Sequence, residues 1–471
     1  MTRRNPRAAA SLFDPGAFRA LGHKIVDLLA SHLEGCLGGE GPVLRWREPQ
    51  EAIASVPAVA ERGDPDSLVS LAGRLLAESN RLHHPGFIGH QVAPPLPAAA
   101  LLEAVSALLN NGMAVYEMGP LQTAMEQRVV EWMCERIGFG AGADGVLTSG
   151  GSMGNLTALL AARARLDPEA WRDGMADGCV LVSEQAHYCI DRAARILGLG
   201  EAGVVKVPVD GEFRMRADAL PAALAHARRR GRRVIAVVAS ACSTATGSFD
   251  PLDEVADFCE RNGLWMHVDG AHGASFCLSA RRRSLLEGIA RADSVVWDAH
   301  KMLWMPALST GVLFADGRNS HAPFAQDASY LFARDSRPHD RGTRTLECTK
   351  RAIGAVLYGS LALVGERSLA EMLDRTADLA AEFAAEIDRR EDFELACRPE
   401  ANIVCFRHIP SDARDLDAHQ AKLRDLALRD GRWYLVRTTL PRGIFLRTTL
   451  MNPLTTIEDL RAMLDALRAF A

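Results

Sequence analysis

The stretch Leu264-Trp265-Met266-His267-Val268-Asp269 is an apolar run that ends on a carboxylate. Continuous apolar runs of this kind are typical of strands that are buried on both faces of a parallel sheet. The pattern therefore predicts a strand over Leu264–Val268 with Asp269 at its carboxyl end. In open α/β folds this end of the sheet is where ligands bind. An alternative role for Asp269 is to cap the turn or helix that follows.

The same pattern repeats on both sides of this strand, from about residue 85 to residue 350. The other strand-like runs are Gly145–Ser149, Val180–Ser183, Val204–Val207, Val234–Ser240, Ser294–Trp297 and Gly311–Phe314. The helix-like stretches between them include Leu156–Ala164, Ala217–Arg229 and Pro251–Asn262. Strands that alternate with helices predict an α/β fold, with a mostly parallel sheet covered on both faces.

Different patterns flank this central region. Apolar residues recur at helical spacing from Phe18 to Leu33, which predicts helices that pack on another surface, a partner subunit being one candidate. After about residue 355, helical and strand-like patterns alternate in a way that predicts a small α+β domain. Its predicted elements are Leu373–Ile387, Ile403–Phe406, Ala418–Leu428, Gly443–Thr448 and Ile457–Phe470. We therefore divide the chain into an N-terminal helical segment (1–84), a large α/β domain (85–354) and a small C-terminal domain (355–471).

The composition narrows the class of protein. Of the 471 residues, 48% are hydrophobic and 24% are charged, with a formal net charge of -5, which is typical of a soluble globular protein. The sequence shows no basic face, so we expect no nucleic-acid partner. No apolar run reaches the roughly 18 residues that span a bilayer, so we expect no membrane partner. The ten cysteines are scattered without a CxxC pair, so we expect no metal site and a reducing, cytoplasmic setting.

A glycine-rich segment, Thr148 to Asn155, lies between a predicted strand and a predicted helix. Glycines such as Gly151 let the backbone approach a ligand closely, and the free N–H groups at a helix N-terminus attract anions. A phosphate group would bind there, with Ser152 adding a hydroxyl. The alternative is an ordinary strand-to-helix turn in which Ser152 or Asn155 caps the helix.

Two further segments follow predicted strands. Lys301 comes after Ser294–Trp297, and its apolar neighbours count against full exposure. A lysine in such a setting loses its proton and attacks an aldehyde as a free amine, although surface lysines are more common. His187 follows Val180–Ser183, and we expect it either to stack on an aromatic ring or to transfer a proton near neutral pH. The alternative is a hydrogen-bonded histidine in a loop.

The ordered set of motifs resembles the pyridoxal-phosphate-dependent group II amino acid decarboxylases, which include glutamate, aromatic and diaminobutyrate decarboxylases. The most specific stretch is Ala292-Asp293-Ser294 followed by Asp298-Ala299-His300-Lys301. Other similar motifs are His84-Pro85-Gly86-Phe87, Tyr116-Glu117, Gly150-Gly151-Ser152, Ala186-His187, Ser243-Thr244, Phe249-Asp250-Pro251-Leu252, His267-Val268-Asp269, Leu446-Arg447 and Asn452-Pro453-Leu454-Thr455. The resemblance runs from about His84 to the C-terminus and implies an aspartate-aminotransferase-like fold (fold type I).

The resemblance also implies roles for individual residues. Lys301 would form the Schiff base with pyridoxal 5'-phosphate, Asp269 would pair with its pyridine nitrogen, and His187 would stack on its ring. The remaining cofactor contacts would come from Gly151, Ser152, Thr244 and His300. Substrate contacts would come from His90, Gln91 and Arg447. Family members are typically homodimers with the active site at the subunit interface, which assigns dimerisation to residues 1–84.

The sequence departs from the family pattern in three places. The usual GTT is Cys242-Ser243-Thr244 here, and Asp298 stands where several relatives have Asn, so that an added carboxylate would alter phosphate contacts. Many members also carry a loop tyrosine that protonates the α-carbon, whereas residues 332–346 contain none. Tyr330 belongs to a segment that relatives share, and His339 is either a substitute acid or a solvated loop histidine.

These departures leave three functions open. The resemblance implies decarboxylation of an L-amino acid to an amine and carbon dioxide. Without the loop tyrosine, an aldehyde-forming reaction or another carbon–carbon lyase reaction becomes an alternative. A catalytically silent scaffold is the alternative of another class, although intact Lys301, Asp269 and His187 argue against it. The segment Gly89–Pro95 resembles diaminobutyrate-type members more than aromatic ones.

Overall fold

The computed structural model describes residues 12–61, 63–64, 67–324, 339–411 and 414–471. The α-helices of this part of the chain are α1 (Pro15–Leu37), α2 (Pro49–Ala54), α3 (Ser67–Glu78), α4 (Pro97–Leu109), α5 (Pro120–Ile137), α6 (Gly151–Leu166), α7 (Ala170–Asp173), α8 (Cys189–Ile196), α9 (Leu220–Arg229), α10 (Leu252–Asn262), α11 (Ala299–Met302), α12 (Ile353–Asp388), α13 (Leu416–Asp430) and α14 (Ile457–Phe470). Helix α12 is broken at Gly365, whose φ of 75° is not helical.

The large sheet has seven strands in the order β1-β7-β6-β5-β4-β2-β3. They are β1 (Asp144–Thr148), β2 (Gly178–Ser183), β3 (Val204–Val207), β4 (Arg233–Ser240), β5 (Trp265–Asp269), β6 (Ser294–Asp298) and β7 (Thr310–Phe314). Only β7 runs antiparallel to its neighbours, β1 and β6, and the other pairs are parallel. The predicted mostly parallel α/β sheet is therefore confirmed, with strand bounds that differ by at most two residues.

The large sheet is buried on both faces. Alternate side chains of one strand point to opposite faces, and each face is covered by its own hydrophobic core. In β6, Val295 and Trp297 belong to one hydrophobic core and Val296 belongs to the other. All five residues of β6 are buried. This double burial explains why the strands show continuous apolar runs rather than alternating polar and apolar residues.

The C-terminal region forms a second, antiparallel sheet in the order β10-β11-β9-β8. Its strands are β8 (Phe393–Leu395), β9 (Ile403–His408), β10 (Val436–Leu440) and β11 (Gly443–Thr449). The predicted small α+β arrangement is confirmed, but β8 and β10 were not predicted. Strand β8 is very short, and β10 lies at the sheet edge with a polar, partly exposed middle, so neither has a strong apolar signal.

The segment from Arg81 to Leu96 connects the N-terminal helices to both sheets. Ile88 donates its N–H to Tyr434 O (3.1 Å) and accepts from Thr449 N (2.7 Å), so the segment lies against the small sheet. Leu96 N donates to Trp304 O at 2.8 Å, just beyond α11. His90 and Gln91 are held between these anchors. No helix among the described residues combines the length and the apolar character needed to cross a membrane.

Candidate active site

The carboxyl ends of the central strands open into a cavity of about 440 Å³. All the candidate residues line it: His90, Gln91, Gly151, Ser152, His187, Thr244, Asp269, His300, Lys301 and Arg447. They come from sequence positions more than 350 residues apart, and the parallel strands bring most of them to one edge. Their proximity is an observation, while the role of each remains a prediction.

The glycine-rich turn joins β1 to α6. Gly150 has a φ of 104°, a conformation that favours glycine, and α6 begins at Gly151. A Cβ atom on Gly151 would lie 3.0 Å from Asp298 Oδ2, so the backbone and that carboxylate approach closely. The first N–H groups of a helix have no intrahelical acceptor. The turn therefore offers backbone donors to an anion, beside a carboxylate that the resemblance did not require.

Asp269 ends β5 and is 8% exposed. Its Oδ1 accepts a hydrogen bond from Ala271 N at 3.2 Å. Burial raises the pKa of Asp269 above its ordinary value, and the attraction of Lys301 and His187 only partly opposes this shift. A buried carboxylate with so few hydrogen bonds is stabilised by a cationic partner, and a protonated pyridine nitrogen supplies one.

A chain of buried hydrogen bonds runs through His267, on the strand that ends at Asp269. Trp265 Nε1 donates to Ser294 Oγ (2.9 Å), whose hydroxyl then donates to His267 Nδ1 (2.8 Å). His267 Nε2 donates to Asn155 Oδ1 (2.7 Å), and Asn155 Nδ2 donates to Cys189 Sγ (3.3 Å). Burial lowers the pKa of His267 to about 4, so the ring is neutral. The chain links β6, β5, α6 and α8 immediately beneath the cavity.

Lys301 lies in α11, directly after β6. Its Nζ is 3.1 Å from Asp298 Oδ2, and Asp298 Oδ1 accepts from Thr310 Oγ1 at 2.5 Å. Burial lowers the pKa of Lys301, but the combined attraction of Asp298 and Asp269 outweighs it and leaves the pKa above its ordinary value. In the cofactor-free protein the contact with Asp298, three residues earlier, favours the ammonium form of Lys301, whereas its apolar neighbours favour the free amine.

The two predicted histidines line the same cavity as Lys301. His187 is half-buried, its Nδ1 accepts from Cys189 N (3.4 Å), and burial lowers its pKa. Its ring lies 4.2 Å from the Tyr188 ring, centroid to centroid, and the residue lines the cavity, where an aromatic ring can stack on another flat ring. His300 Nδ1 lies 2.9 Å from Ser309 O, and its Nε2 is 3.6 Å from Asp298 Oδ2. His300 is thus held at the edge of the glycine-rich turn.

The opposite wall of the cavity carries Arg447, from β11. One guanidinium nitrogen donates to Thr244 O at 2.6 Å, whereas Nε is buried without a partner among the described residues. Gln91 Nε2 is also buried and unpartnered there. His90 packs against Tyr434 with a ring separation of 5.6 Å, and burial and Arg447 lower its pKa. Unpartnered donors on this wall favour a ligand that accepts hydrogen bonds.

The cavity also contains residues to which the sequence assigned no role. His272 is buried, and its Nε2 lies 2.8 Å from Asn402 Oδ1. Cys189 and Cys242 line the cavity as well, and burial raises the pKa of each thiol to about 12. Glu347 does not line the cavity, but it accepts hydrogen bonds from the backbone N (3.3 Å) and the hydroxyl of Ser149, which does. Of these, only Cys242 stands in a motif quoted above.

The loop that lacks the family tyrosine is only partly described. Tyr330 and residues 332–338 lie outside the described residues. His339 is exposed and lies 6.1 Å from the Tyr116 ring, centroid to centroid. It does not line the cavity of this subunit. The proposal of His339 as an acid therefore gains no support from its position in the single chain.

These observations test whether pyridoxal 5'-phosphate suits the cavity. The donor set combines a lysine amine, a buried carboxylate across from it, a neutral ring and an anion-binding turn. The amine can bond the aldehyde of the cofactor, and the carboxylate can pair with its pyridine nitrogen. The neutral ring can stack on its ring face, and the turn can bind its phosphate. The residues therefore fit this cofactor.

Comparisons with known proteins agree with this fit. The sequence profile of the pyridoxal-dependent decarboxylase conserved domain matches residues 83–409. The chain is 30% identical to human acidic amino acid decarboxylase GADL1 over 443 residues, which is 90% of this chain and 85% of that protein. It is 32% identical over 423 residues to the L-2,4-diaminobutyrate decarboxylase of Rhizobium meliloti (strain 1021), covering 89% and 82% respectively.

The fold agrees as closely as the sequence. The crystal structure of mouse CSAD in apo form superposes with a TM-score of 0.90 at 28% identity, over 97% of this chain and 99% of that one. The match spans the N-terminal helices as well as both sheets. From the cavity, the profile match and these relatives together, we conclude that the chain belongs to the pyridoxal-dependent decarboxylase family and is a carboxy-lyase that decarboxylates an amino acid with pyridoxal 5'-phosphate.

Proposed function

We propose that Lys301 carries the cofactor covalently, that Asp269 holds its ring nitrogen protonated, and that the product is the amine of the substrate. When bound, the cofactor supplies an electron sink for the bond to the leaving carboxylate. The observation that carries this proposal is the position of Lys301 and Asp269 at adjacent strand ends of one cavity. His187, which lines the same cavity, is proposed to cover one face of the ring.

The phosphate is proposed to bind at the start of α6. Gly151 and Ser152 present backbone donors there, and the Ser152 hydroxyl is exposed toward the cavity mouth. His300 borders the same turn, and Thr244 lies at the far side of the cavity beside Arg447. These contacts would hold the cofactor while the substrate replaces Lys301.

Arg447 is proposed to bind a carboxylate of the substrate. Its guanidinium is held by Thr244 O, and its unpartnered Nε leaves hydrogen-bonding capacity in a buried position. A buried arginine without an anionic partner is costly, and a bound carboxylate removes that cost. His90 and Gln91 are proposed to contact the rest of the substrate.

The charges on the cavity wall favour a substrate with an acidic or uncharged side chain. Among the described residues that line the cavity, the carboxylates are Asp269 and Asp298, and both interact with Lys301. The wall formed by His90, Gln91 and Arg447 therefore offers a cationic side chain no carboxylate partner from this subunit. Of the two relatives, this favours the substrate class of the acidic amino acid decarboxylase over diaminobutyrate, against the resemblance of Gly89–Pro95.

An aldehyde-forming reaction is a second candidate, supported by the absence of tyrosine from residues 332–346. In the family resemblance, that tyrosine returns a proton to the α-carbon after carbon dioxide leaves. Without an efficient proton donor, the electron pair left on the α-carbon would instead be taken by an external two-electron oxidant such as dissolved dioxygen, and hydrolysis would release the oxidised product. The aldehyde product would then appear together with ammonia.

A homodimer is proposed on the basis of exposed apolar side chains in the N-terminal third of the chain. Helices α1 and α3 contact each other, yet both retain apolar residues on the surface, as does α4. The exposed residues on these helices are Phe18, Val26, Leu29, Leu37, Leu68, Leu71, Leu75, Leu101, Val105, Leu108 and Leu109. Exposed apolar residues in this number are typical of a protein–protein interface, and a second copy of the chain would cover them. The cavity-lining residues His90 and Gln91 lie in the chain between α3 and α4, so such an interface would be connected to the cavity.

We also propose a division of the chain into three parts. Residues 1–84 would serve in dimerisation, residues 85–354 would form the cofactor-binding domain around the large sheet, and residues 355–471 would form the small domain around the second sheet. We also propose a cytoplasmic location. All ten cysteines are free, and nine of them are buried, as expected for a protein kept in a reducing compartment.

The experiment that tests the function is a mass-spectrometric screen of the cofactor-loaded protein. It is supplied with the common L-amino acids and L-2,4-diaminobutyrate, and Lys301→Ala serves as the control. An amine from an acidic or neutral amino acid, absent in the control, is the expected result. An amine from diaminobutyrate alone would overturn the proposed substrate class, and an aldehyde with ammonia would favour the second candidate. No product from any substrate would contradict the proposed function.

A further inference from the structure

We infer that Asp298 holds Lys301 as an ammonium ion before the cofactor binds, and so sets the pH at which Lys301 becomes able to attach the cofactor. The inference rests on the proposed covalent role of Lys301. It goes beyond that role because it assigns a positioning and gating function to a residue outside the reacting set.

The contact that carries the inference is buried and specific. Lys301 Nζ lies 3.1 Å from Asp298 Oδ2, and the Asp298 side chain is only 2% exposed. Thr310 Oγ1 donates to the other carboxylate oxygen at 2.5 Å, which fixes the orientation of the carboxylate. Burial shields this pair from screening by salt, so the attraction is stronger than in a surface ion pair.

Other charged and titratable groups surround this pair. The groups that face it are Asp269 at the end of β5, His187 and Cys189 after β2, Cys242 after β4, His272 after β5 and His300 in α11. The histidines His187 and His272 have lowered pKa values because they are buried, and the thiol of Cys242 has a raised one. The carboxylates that attract the Lys301 ammonium group are therefore Asp298 and Asp269.

Of these two carboxylates, Asp269 has another proposed partner. A bound pyridinium nitrogen takes up its charge, whereas Asp298 has no such partner among the parts of the cofactor. Asp298 instead borders the anion-binding turn, since a Cβ atom on Gly151 would touch its carboxylate. Asp298 therefore interacts with Lys301 throughout cofactor loading.

The chemistry of attachment makes this contact consequential. A bond forms between Lys301 Nζ and the aldehyde carbon of pyridoxal 5'-phosphate, and the aldehyde oxygen leaves as water. Only the neutral amine has the electron pair for this bond, so the ammonium ion must first release a proton to solvent. By stabilising the ammonium ion, Asp298 lowers the fraction of neutral amine at a given pH. Attachment then becomes faster as the pH rises.

The variant Asp298→Asn tests the inference without requiring turnover. The rate of appearance of the lysine-bound absorbance band is measured across pH, with pyridoxal 5'-phosphate and with phosphate-free pyridoxal, on the cofactor-free full chain. Losing one buried charge partner shifts a pKa by about one unit or more, so we expect the midpoint to fall by about one pH unit and the rate near neutral pH to rise roughly tenfold. The acceleration should occur with both aldehydes.

Two outcomes would overturn the inference. Coincident pH profiles for the wild type and Asp298→Asn would show that the carboxylate does not control Lys301. An acceleration confined to the phosphate-bearing aldehyde would show that Asp298 acts on the phosphate instead. If Asp298→Asn fails to fold, Asp298→Ser removes the same charge and carries the same expectation.

The controls separate this inference from the proposed function. Thr310→Val removes the hydrogen bond to Asp298 but keeps its charge, so its pH midpoint should stay close to that of the wild type. Lys301→Ala should show no band, which identifies the lysine that is observed. A normal band without any amine product would count against the proposed function while leaving the role of Asp298 standing, and no band in the wild type would count against Lys301 itself.

Discussion

Asp269 shows how the surroundings of one residue decide its chemistry. Its carboxylate is buried at a strand end, accepts a hydrogen bond from the Ala271 backbone N–H, and has a pKa raised by burial. A cationic ring nitrogen placed against it relieves the cost of burying the charge, and the carboxylate in return keeps that nitrogen protonated. On the proposed role of Asp269, the electron sink of the cofactor depends on this one carboxylate.

We predict that Asp269→Asn retains cofactor binding but loses most decarboxylation. An amide does not stabilise the protonated nitrogen, and the loss of one partner from a buried charge pair is worth about 3 kcal/mol. That energy corresponds to a fall in kcat of roughly 100-fold. Steady-state kinetics with saturating cofactor checks the prediction, and cofactor absorbance confirms loading. Unchanged kcat in a loaded variant would contradict it.

The sequence and the structure divide the residue scale between them. Lys301, Asp269 and His187 were recognisable because each follows an apolar run that predicts a strand. The Asp298–Lys301 contact was not, although the two residues are only three positions apart, because nothing in the sequence shows which way each side chain turns. The contact of Arg447 with Thr244 joins residues 203 positions apart, and only the folded chain brings them together.

At the scale of elements, the buried hydrogen-bond chain through Ser294 links strand to helix beneath the cavity. Ser294→Ala leaves both the Trp265 indole N–H and His267 Nδ1 without their partner in the core. An unsatisfied buried polar group costs about 1–3 kcal/mol, and we expect the free energy of unfolding to fall by that amount. Denaturant unfolding measures the change.

The matched control for this prediction is Ser284→Ala, because Ser284 is exposed on the same domain. Its free energy of unfolding should change by less than about 0.5 kcal/mol, as is usual for surface substitutions. If both substitutions changed the free energy of unfolding equally, the hydrogen bonds of Ser294 would contribute no more to stability than an exposed serine does.

Glu386 connects two helices of the C-terminal region, since it lies in α12 and accepts from Arg461 Nε in α14 at 3.2 Å. It also bonds Arg389 and Arg390. The hydrogen bond from Arg389 is the largest cause that lowers the pKa of Glu386 from 4.5 to about 2. A lowered folded-state pKa stabilises the fold above the unfolded value, and this stabilisation is lost as the pH falls through the folded one.

We therefore predict that Glu386→Gln lowers the free energy of unfolding at pH 7 by about 1–2 kcal/mol, less than the full pKa shift implies because two of its arginine partners are largely exposed. The difference from the wild type should shrink below pH 4.5 and vanish near pH 2. Unfolding curves across this range check it. Glu458→Gln, at an exposed pair with the same Arg461, should change little. A difference that stays constant with pH would contradict the assignment.

The whole molecule presents an apolar surface that a single subunit leaves uncovered. On α4, Leu101, Val105 and Leu108 are exposed and share one face at spacings of four and three residues. We predict that the double variant Leu101→Glu and Leu108→Glu converts the proposed homodimer to a monomer, because two charges would be buried at the interface without partners. Analytical ultracentrifugation measures the mass directly.

The control for dimerisation is Ile196→Glu, at an exposed apolar residue on α8 that lies away from this surface. It should remain a dimer. A monomeric wild type, or a double variant that stays dimeric, would contradict the proposed interface. Loss of activity in the monomeric variant alone would support the proposal that the active site depends on the partner subunit.

The sequence by itself determined the central α/β sheet, the order of the cofactor motifs and the family, because buried strands and glycine-rich turns impose local patterns that survive without knowledge of distant contacts. The predicted bounds of β3 and α14 coincide with those of the structure. Only the tertiary structure decided the contact of Lys301 with Asp298, the unpartnered Nε of Arg447 and the edge strands β8 and β10. Each of these depends on neighbours that folding brings from elsewhere in the chain, and electrostatic energy and burial follow distance in space rather than along the sequence.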